Sequence, residues 1–228
     1  MDFAIHRKRV TASTNADARA GSHGDVFTAD EQTAGRGRLD HRWHSRPGEN
    51  LTFSVVLSVD GMPPDAAATL PLVVGASVRR VAGGDIKWPN DVLVNGRKIA
   101  GILCERHGDL VVCGIGLNVN QTVFPDELSG RATSLKVESG RDFRLDDVLS
   151  RVLSSLDELY TEWRRGGFAA VHPEIALHDA LKGRRISVIQ TDSDPVPVEG
   201  MCGGIRADGT LDVGGKPVYA GEAHVVAR

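Results

Sequence analysis

The 228-residue chain is poor in cysteine and aromatic residues, carries no excess of positive charge and contains no long apolar run. Cys104, Cys113 and Cys202 form no CxxC pair. That argues against a zinc site or a disulfide framework, and two of the three stand in apolar strand-like runs where Cys packs as a small hydrophobe. With 27 Lys and Arg against 30 Asp and Glu, the net charge of −3 argues against bulk nucleic acid as the main partner. Any anion site must therefore be local. No stretch approaches eighteen uninterrupted apolar residues, and Met1 to His6 has no signal-peptide core, so a cytoplasmic protein with no membrane partner is expected. No G-x-x-x-x-G-K-[ST] loop occurs, and Asp40 stands where a G-x-G-x-x-G motif beginning at Gly35 needs its third glycine. What remains, 41% hydrophobic and 25% charged, suits an ordinary globular chain with one sizeable core and a small appendage.

Periodicity predicts the elements. Thr14 is expected to cap a short helix, with Asp17 completing a capping box over Ala16 to Ala20. Gly24 to Ala29 looks like a strand. The polar Asp30 to Asn50 segment is too long for a mere turn and reads as a functional or disordered loop. Leu51, Phe53, Val55, Leu57 and Val59 alternate with Thr52, Ser54 and Ser58, the period of a strand with one buried face. Pro63-Pro64-Asp65 opens an Ala-rich helix to about Val81, bent near Pro71. Asp85 to Lys87 is a short strand. Asp91 to Val94 pairs with Lys98 to Glu105 across Asn95-Gly96, a strong two-residue hairpin signal. A second hairpin turns at His107-Gly108-Asp109 into the apolar strand Leu110 to Val119, and Leu145 to Trp163 carries apolar residues at three- and four-residue spacing, an amphipathic helix. Beyond a boundary near Ala180 to Gly183, short strands at Ile186 to Thr191, Val196 to Met201, Ile205, Leu211 to Val213 and Val218 to Val226 predict a small barrel. The expected domains are 1–180 and 181–228.

Two segments about fifty residues apart carry the chemistry. Gly35-Arg36-Gly37-Arg38 sets two guanidiniums around a glycine that lets backbone approach a ligand, an arrangement suited to phosphate or carboxylate. On its own it equally fits a solvated loop or an RNA-binding patch. Lys87-Trp88-Pro89-Asn90-Asp91 ends a short strand with a cation, a rigid Trp-Pro step and two oxygen-bearing side chains, which also suits a plain turn. Lys98-Ile99-Ala100-Gly101-Ile102 places Gly101 where a side chain would obstruct a close approach. Gly114-Ile115-Gly116-Leu117-Asn118 ends a strand, and Asn118 either organises a turn or reaches a ligand. Asp91 alone supplies no metal coordination set, and no direct protein ligand for a metal is identified.

Together, Ser13-Thr14-Asn15, Gln32 to Arg38 with Trp43, Lys87 to Asp91, Lys98 to Ile102 and Gly114 to Asn118 resemble the biotin protein ligase family in order and spacing. The resemblance covers about residues 10 to 120. It implies an α+β catalytic domain, a mixed sheet with helices related to class II aminoacyl-tRNA synthetases, followed by an SH3-like C-terminal β-barrel. It further implies that the protein makes biotinoyl-5'-AMP from biotin and ATP with Mg2+, then biotinylates a lysine of a biotin carboxyl carrier domain.

By that resemblance Lys98, Arg36, Lys87 and Asp91 form the catalytic set, with Lys98 foremost. Ser13, Thr14, Asn15, Gln32, Gly35 and Gly101, with Arg36, Arg38, Trp43 and Lys98, would hold biotin. Gly37, Asn90 and Asn118 would join Arg36, Arg38, Trp43, Lys87 and Lys98 around ATP and the adenylate, under a closing Asp30 to Asn50 loop. With only about twelve residues before Ser13, the chain looks like the short type that lacks a DNA-binding domain, so no DNA partner is expected. Monomer and homodimer both remain open. No basic residue of the tail matches an adenylate contact. Lipoate ligase is the nearest rival, and a non-catalytic nucleic-acid or small-molecule sensor is the rival of another class.

Overall fold

The structure is a computed structural model that describes residues 1–39, 41–63, 65–190 and 196–226. Pro64 and Thr191, which belong to the helix start and a tail strand expected above, and Asp40 lie outside the described residues. Chain order begins with β1 (Ala4–Thr11), α1 (Thr14–Ala18), β2 (Asp25–Gln32), β3 (Leu51–Ser58) and α2 (Ala66–Ala82). Then come β4 (Asp85–Lys87), β5 (Asp91–Val94), β6 (Arg97–His107) and β7 (Leu110–Leu117). Three helices follow, α3 (Leu135–Ser139), α4 (Leu145–Gly166) and α5 (Phe168–Leu177). The chain closes with β8 (Arg185–Ile189), β9 (Val198–Ile205), β10 (Leu211–Val213), β11 (Lys216–Val218) and β12 (Glu222–Val225).

The first seven strands form one mixed sheet in the order β1-β2-β3-β7-β6-β5-β4. Only β1 and β2 run parallel. On one face of this sheet α2 packs against β4 to β7, with α4 and α5 stacked upon it. Val55, Leu57, Ile102, Cys113 and Leu117 from the strands meet Val73, Leu156 and Trp163 from the helices in one buried core. Polar ends of large side chains are satisfied there, as burial demands: Trp163 Nε1 donates to Thr69 Oγ1 at 2.9 Å and Tyr160 Oη to the Ser58 carbonyl at 2.6 Å. Short α1 covers part of the opposite face through Ala18, Val56 and Val112. The rest of that face is where the cleft forms.

The tail is a five-stranded antiparallel sheet, order β11-β10-β9-β8-β12, where the spacing of short strands and Gly turns predicts a small barrel and the resemblance implies an SH3-like one. Among the contacts that join it to the rest of the fold, Trp88 is buried with Nε1 donating to the Gly209 carbonyl at 3.1 Å, and His172 on α5 bonds the Ile205 carbonyl at 2.7 Å. No helix among the described residues is long and apolar enough to cross a membrane.

Several local expectations are corrected. Ser13, not Thr14, is the N-cap of α1, and no capping box forms, because Asp17 instead accepts from Lys8 and Thr11 at 2.8 Å each. The strand expected at Gly24 to Ala29 runs on to Gln32, shortening the loop. β3 is buried on both faces, with Thr52, Ser54 and Val56 at 2%, 0% and 1% exposure, because α1 and the cleft walls cover the side assigned to solvent. In the tail, Ile205 ends β9 rather than standing alone, and the Val218 to Val226 segment divides into β11 and β12 at Gly221, whose φ is 143°. The opening strand β1 carried no alternation to reveal it: as an edge strand it is almost wholly exposed.

Candidate active site

Register assembles the site. Lys87 pairs with Asp91, Asp91 with Gly101, Gly101 with Gly116 and Gly116 with Thr52, so five strands place these residues on one line. Directly paired residues share a face. The line therefore runs from a cation and an acid, across two glycines, to a hydroxyl. A second line, Leu103, Gly114, Ser54 and Phe27, lies beside it. Lys87, Asp91, Gly101, Leu103, Gly114 and Gly116 from these two lines floor a cleft of about 710 Å³.

Lys98 reaches this face through an irregularity. Strict alternation would put it with Ala100 and Ile102, which are buried in the core. Between Val92 and Leu93 the register shifts, so that Val92 pairs with Ala100 but Leu93 with Lys98, and the extra residue Ile99 goes into the core instead. Such a bulge re-aims a side chain. The Lys98 ammonium folds over Gly101, where an added Cβ would meet Lys98 Cε at 3.1 Å and Nζ at 3.2 Å. It ends 2.7 Å from Asp91 Oδ1. That contact is an ion pair outside hydrogen-bond geometry, so the buried Oδ1 has charge compensation but no hydrogen bond. Lys87 has no ion-pair or hydrogen-bond partner among the described residues.

The Gly-Arg loop is a tight hairpin rather than an open excursion: Arg36 and Arg42 form a bridge, Gly37 N donates to the His41 carbonyl at 2.6 Å, and Trp43 N to the Gly35 carbonyl at 3.1 Å. It lays the Trp43 indole across the floor, where a Cβ on Gly116 would run into the ring and one on Gly101 would meet it at 3.3 Å. Lys98 Nζ lies 6.0 Å from the ring centroid. Trp43 Nε1 is buried and takes no partner among the described residues. A buried unpaired donor suits a ligand acceptor.

The two arginines go different ways. Arg38 donates to Asn90 Oδ1 and to the Gly221 carbonyl, both at 3.3 Å, and so spans from the β4–β5 turn to the tail sheet. Burial weighs against its charge, and Asp91 and Glu222 only partly offset that cost. Arg36 instead pairs with Glu105 at 3.2 Å, which also accepts from Asn15 Nδ2 at 2.6 Å. Asn15, Ser54, Thr14 and Gln32 continue this contact as a polar chain along the end of the cleft.

Every residue singled out from the sequence except Gly35 lines this cleft. Gly35 sits behind it, where a Cβ would press on the Trp43 carbonyl at 3.0 Å. Asn118 lines it but is occupied structurally, donating from Nδ2 to the Thr133 carbonyl at 3.0 Å. Sequence reasoning missed Arg131, Arg184, Glu222 and His224 on the walls. Three of these come from the tail, from which no basic contact had been expected. It also missed Ser54 and Glu105, the first hidden by reading its strand face as solvated. The second carried a signal, a lone acid ending the otherwise apolar Ile99 to Cys104 run.

The profile of the Biotin/lipoate A/B protein ligase family matches residues 8–120. A "Biotin--[acetyl-CoA-carboxylase] ligase" of Mycobacterium tuberculosis is 34% identical over 237 aligned positions, covering 95% of this chain and 86% of that protein. The chain belongs to the biotin protein ligase family. The similarity to the "Bifunctional ligase/repressor BirA" of Bacillus spizizenii is 38% over 161 positions, covering 65% of this chain and 49% of that protein. Against those ligase/repressors the chain thus spans about half their length. Among solved structures, the biotin protein ligase of Aquifex aeolicus in complex with biotin and ATP superposes with a TM-score of 0.85 at 27% identity, over 98% of this chain and 99% of that one. The biotin protein ligase fold thus extends through both sheets, tail included.

Proposed function

We propose that this chain is an ATP-dependent ligase that activates biotin as biotinoyl-5'-AMP and transfers the acyl group to a lysine of a biotin carboxyl carrier domain in the cytosol. The observation that carries this reading is the register line itself. It brings Lys87, a cation without a partner among the described residues, an ion pair, Lys98 with Asp91, and two side-chain-free positions, Gly101 and Gly116, beneath one indole in one cleft. The names of the Mycobacterium relative and of the Aquifex complex support the same substrates.

In the first step a biotin carboxylate oxygen attacks the α-phosphorus of ATP, a P–O bond forms, the bond to the β-phosphate breaks and pyrophosphate leaves. Charge gathers on oxygens between carboxylate and α-phosphate. Lys98 is the group to neutralise it, because its ammonium is already held over the glycine floor by Asp91, and a pre-oriented cation needs little reorganisation. Arg38, Arg36 and Lys87 would hold phosphate and carboxylate oxygens, with Trp43 closing over the reacting end and limiting water access to the mixed anhydride. In the second step a carrier lysine amine attacks the acyl carbon, loses its proton and releases AMP. Asp91 lies beside that path and would orient the amine.

ATP is the co-substrate, and Mg2+ would come with it. Among the described residues no group of three or more His, Cys, Asp or Glu side chains is placed to hold a metal. Asp91 is engaged by Lys98 and Glu222 lies near His224. The cleft thus suits an ion held mainly by phosphate oxygens and water, as is usual for magnesium. We further propose catalytic residues 1–180 and an SH3-like domain at 181–228, the latter supplying Arg184 and His224 to the cleft wall.

Incubating the chain with biotin, Mg-ATP and a carrier domain of a biotin-dependent carboxylase should add one biotinyl group by intact mass. A carrier whose acceptor lysine is replaced by arginine should gain none. Absence of the adduct on the unaltered carrier would contradict transfer to that class of partner.

A further inference from the structure

The polar chain at the end of the cleft has a direction, and a residue outside the cleft wall sets it. Glu105 lies on the cleft-face parity of β6 and accepts from Asn15 Nδ2 at 2.6 Å, Arg36 at 3.2 Å and Arg19 at 3.4 Å. Burial works against its charge, but the Asn15 amide and the two guanidiniums outweigh it and hold the carboxyl below its ordinary value. An ionised carboxylate only accepts. The Asn15 amide is therefore fixed with Nδ2 toward Glu105 and the Leu103 carbonyl, and with Oδ1 toward Ser54 Oγ at 2.6 Å. Gly114 makes room for this placement, since a Cβ there would collide with Asn15 Oδ1.

Counting protons then leaves one solution. Ser54 is fully buried, and its Oγ sits 2.6 Å from Asn15 Oδ1 and 2.7 Å from Thr14 Oγ1. A hydroxyl has one proton, and Asn15 Oδ1 has none to give, so the Ser54 proton lies on the Asn15 side. At 2.7 Å the two hydroxyl oxygens still require a proton between them, and only Thr14 can supply it. Gln32 Oε1, 3.2 Å from Thr14 Oγ1, is already served by the Thr14 backbone N–H at 2.8 Å. That bond orients the Gln32 amide and leaves Nε2 with no partner among the described residues, beside Gly35 at the cleft.

We infer that Glu105 is a positioning and specificity-determining residue: through Asn15 and Ser54 it makes Thr14 Oγ1 an acceptor, beside the donor Gln32 Nε2, and so matches the N–H and C=O edge of a cyclic urea. The inference rests on the biotin reading of this cleft and deepens it. A ligand whose ring lacks the N–H meets a lone pair instead of finding an acceptor for its donor, and a dithiolane such as lipoate's offers neither group. Without Glu105 only the longer bond to the Leu103 carbonyl, at 3.3 Å, holds the Asn15 amide; the amide turns more readily, the hydroxyl protons redistribute, and Thr14 becomes a donor or an acceptor as the ligand demands.

The test compares dissociation constants of the full chain for biotin and for a cyclic carbamate analogue in which one ring N–H is replaced by oxygen. The unaltered protein should favour biotin by about tenfold or more, the usual worth of one mispaired buried hydrogen bond. Glu105→Met should bring the ratio close to one, whereas Glu105→Gln, which keeps an acceptor oxygen but not the charge, should restore most of it. If Glu105→Met does not fold, Asn15→Leu removes the link directly and should collapse the ratio in the same way. An unchanged ratio in Glu105→Met or Asn15→Leu, or equal losses in the Met and Gln variants, would overturn the inference while leaving the biotin reading intact. Failure of the unaltered protein to bind biotin at all would overturn both.

Discussion

Lys98→Ala is expected to lower biotin-dependent pyrophosphate release by about a hundredfold or more, on the order of 3 kcal/mol of transition-state stabilisation. The expectation follows from where the ammonium is held. A bulge turns Lys98 out of the core and onto the cleft face, Gly101 lets its stem lie flat, and Asp91 fixes its end at 2.7 Å. Little of the fold depends on that side chain, which is 38% exposed, so thermal unfolding should change by about 1 kcal/mol or less. Steady-state release at saturating biotin and ATP, with unfolding followed in parallel, separates the two effects. Near-normal release by a folded variant would remove Lys98 from the centre of the mechanism.

Gly116→Val should abolish biotin binding without unfolding the protein. Its backbone is ordinary extended strand, for which valine is well suited. The added side chain, however, occupies the floor directly under the Trp43 indole and would displace it. Overpacking of this kind costs roughly 3 kcal/mol, about a hundredfold in Kd, before any lost contact with ligand is counted. Trp43 and Trp88 line the cleft and Trp163 does not, so a fluorescence change on ligand addition reports on the first two. Titrating biotin against intrinsic fluorescence, with calorimetry as a second readout, should show saturation for the unaltered chain and none for the variant. Equal affinity in both would mean that the glycine floor is not where biotin lies.

Much of this arrangement was legible in the residues. Asn95-Gly96 announced the β5–β6 hairpin, and both residues adopt the positive φ that such a turn requires, 51° and 74°. The period of α4 and the tail's short strands between Gly turns were equally plain. Other features leave no periodic trace. β1 is exposed along its length and has no hydrophobic face to advertise. The bulge at Lys98 is a matter of pairing register, and simple alternation would have sent that lysine into the core. Thr52 and Ser54 look like the solvent face of an alternating strand, yet they are buried because tertiary neighbours cover them. Arg184 and Glu222 reach the cleft only because the tail sheet docks beside β4 through Trp88 and Arg38, a long-range contact that spacing along the chain does not encode.

The central claim, that this cleft joins a biotin carboxylate to AMP, is tested most directly by pyrophosphate release from Mg-ATP without carrier protein, with biotin in one reaction and lipoate in another. Release that depends on biotin and stays at background with lipoate is the predicted result. Release with lipoate alone, or none with either acid, would contradict it.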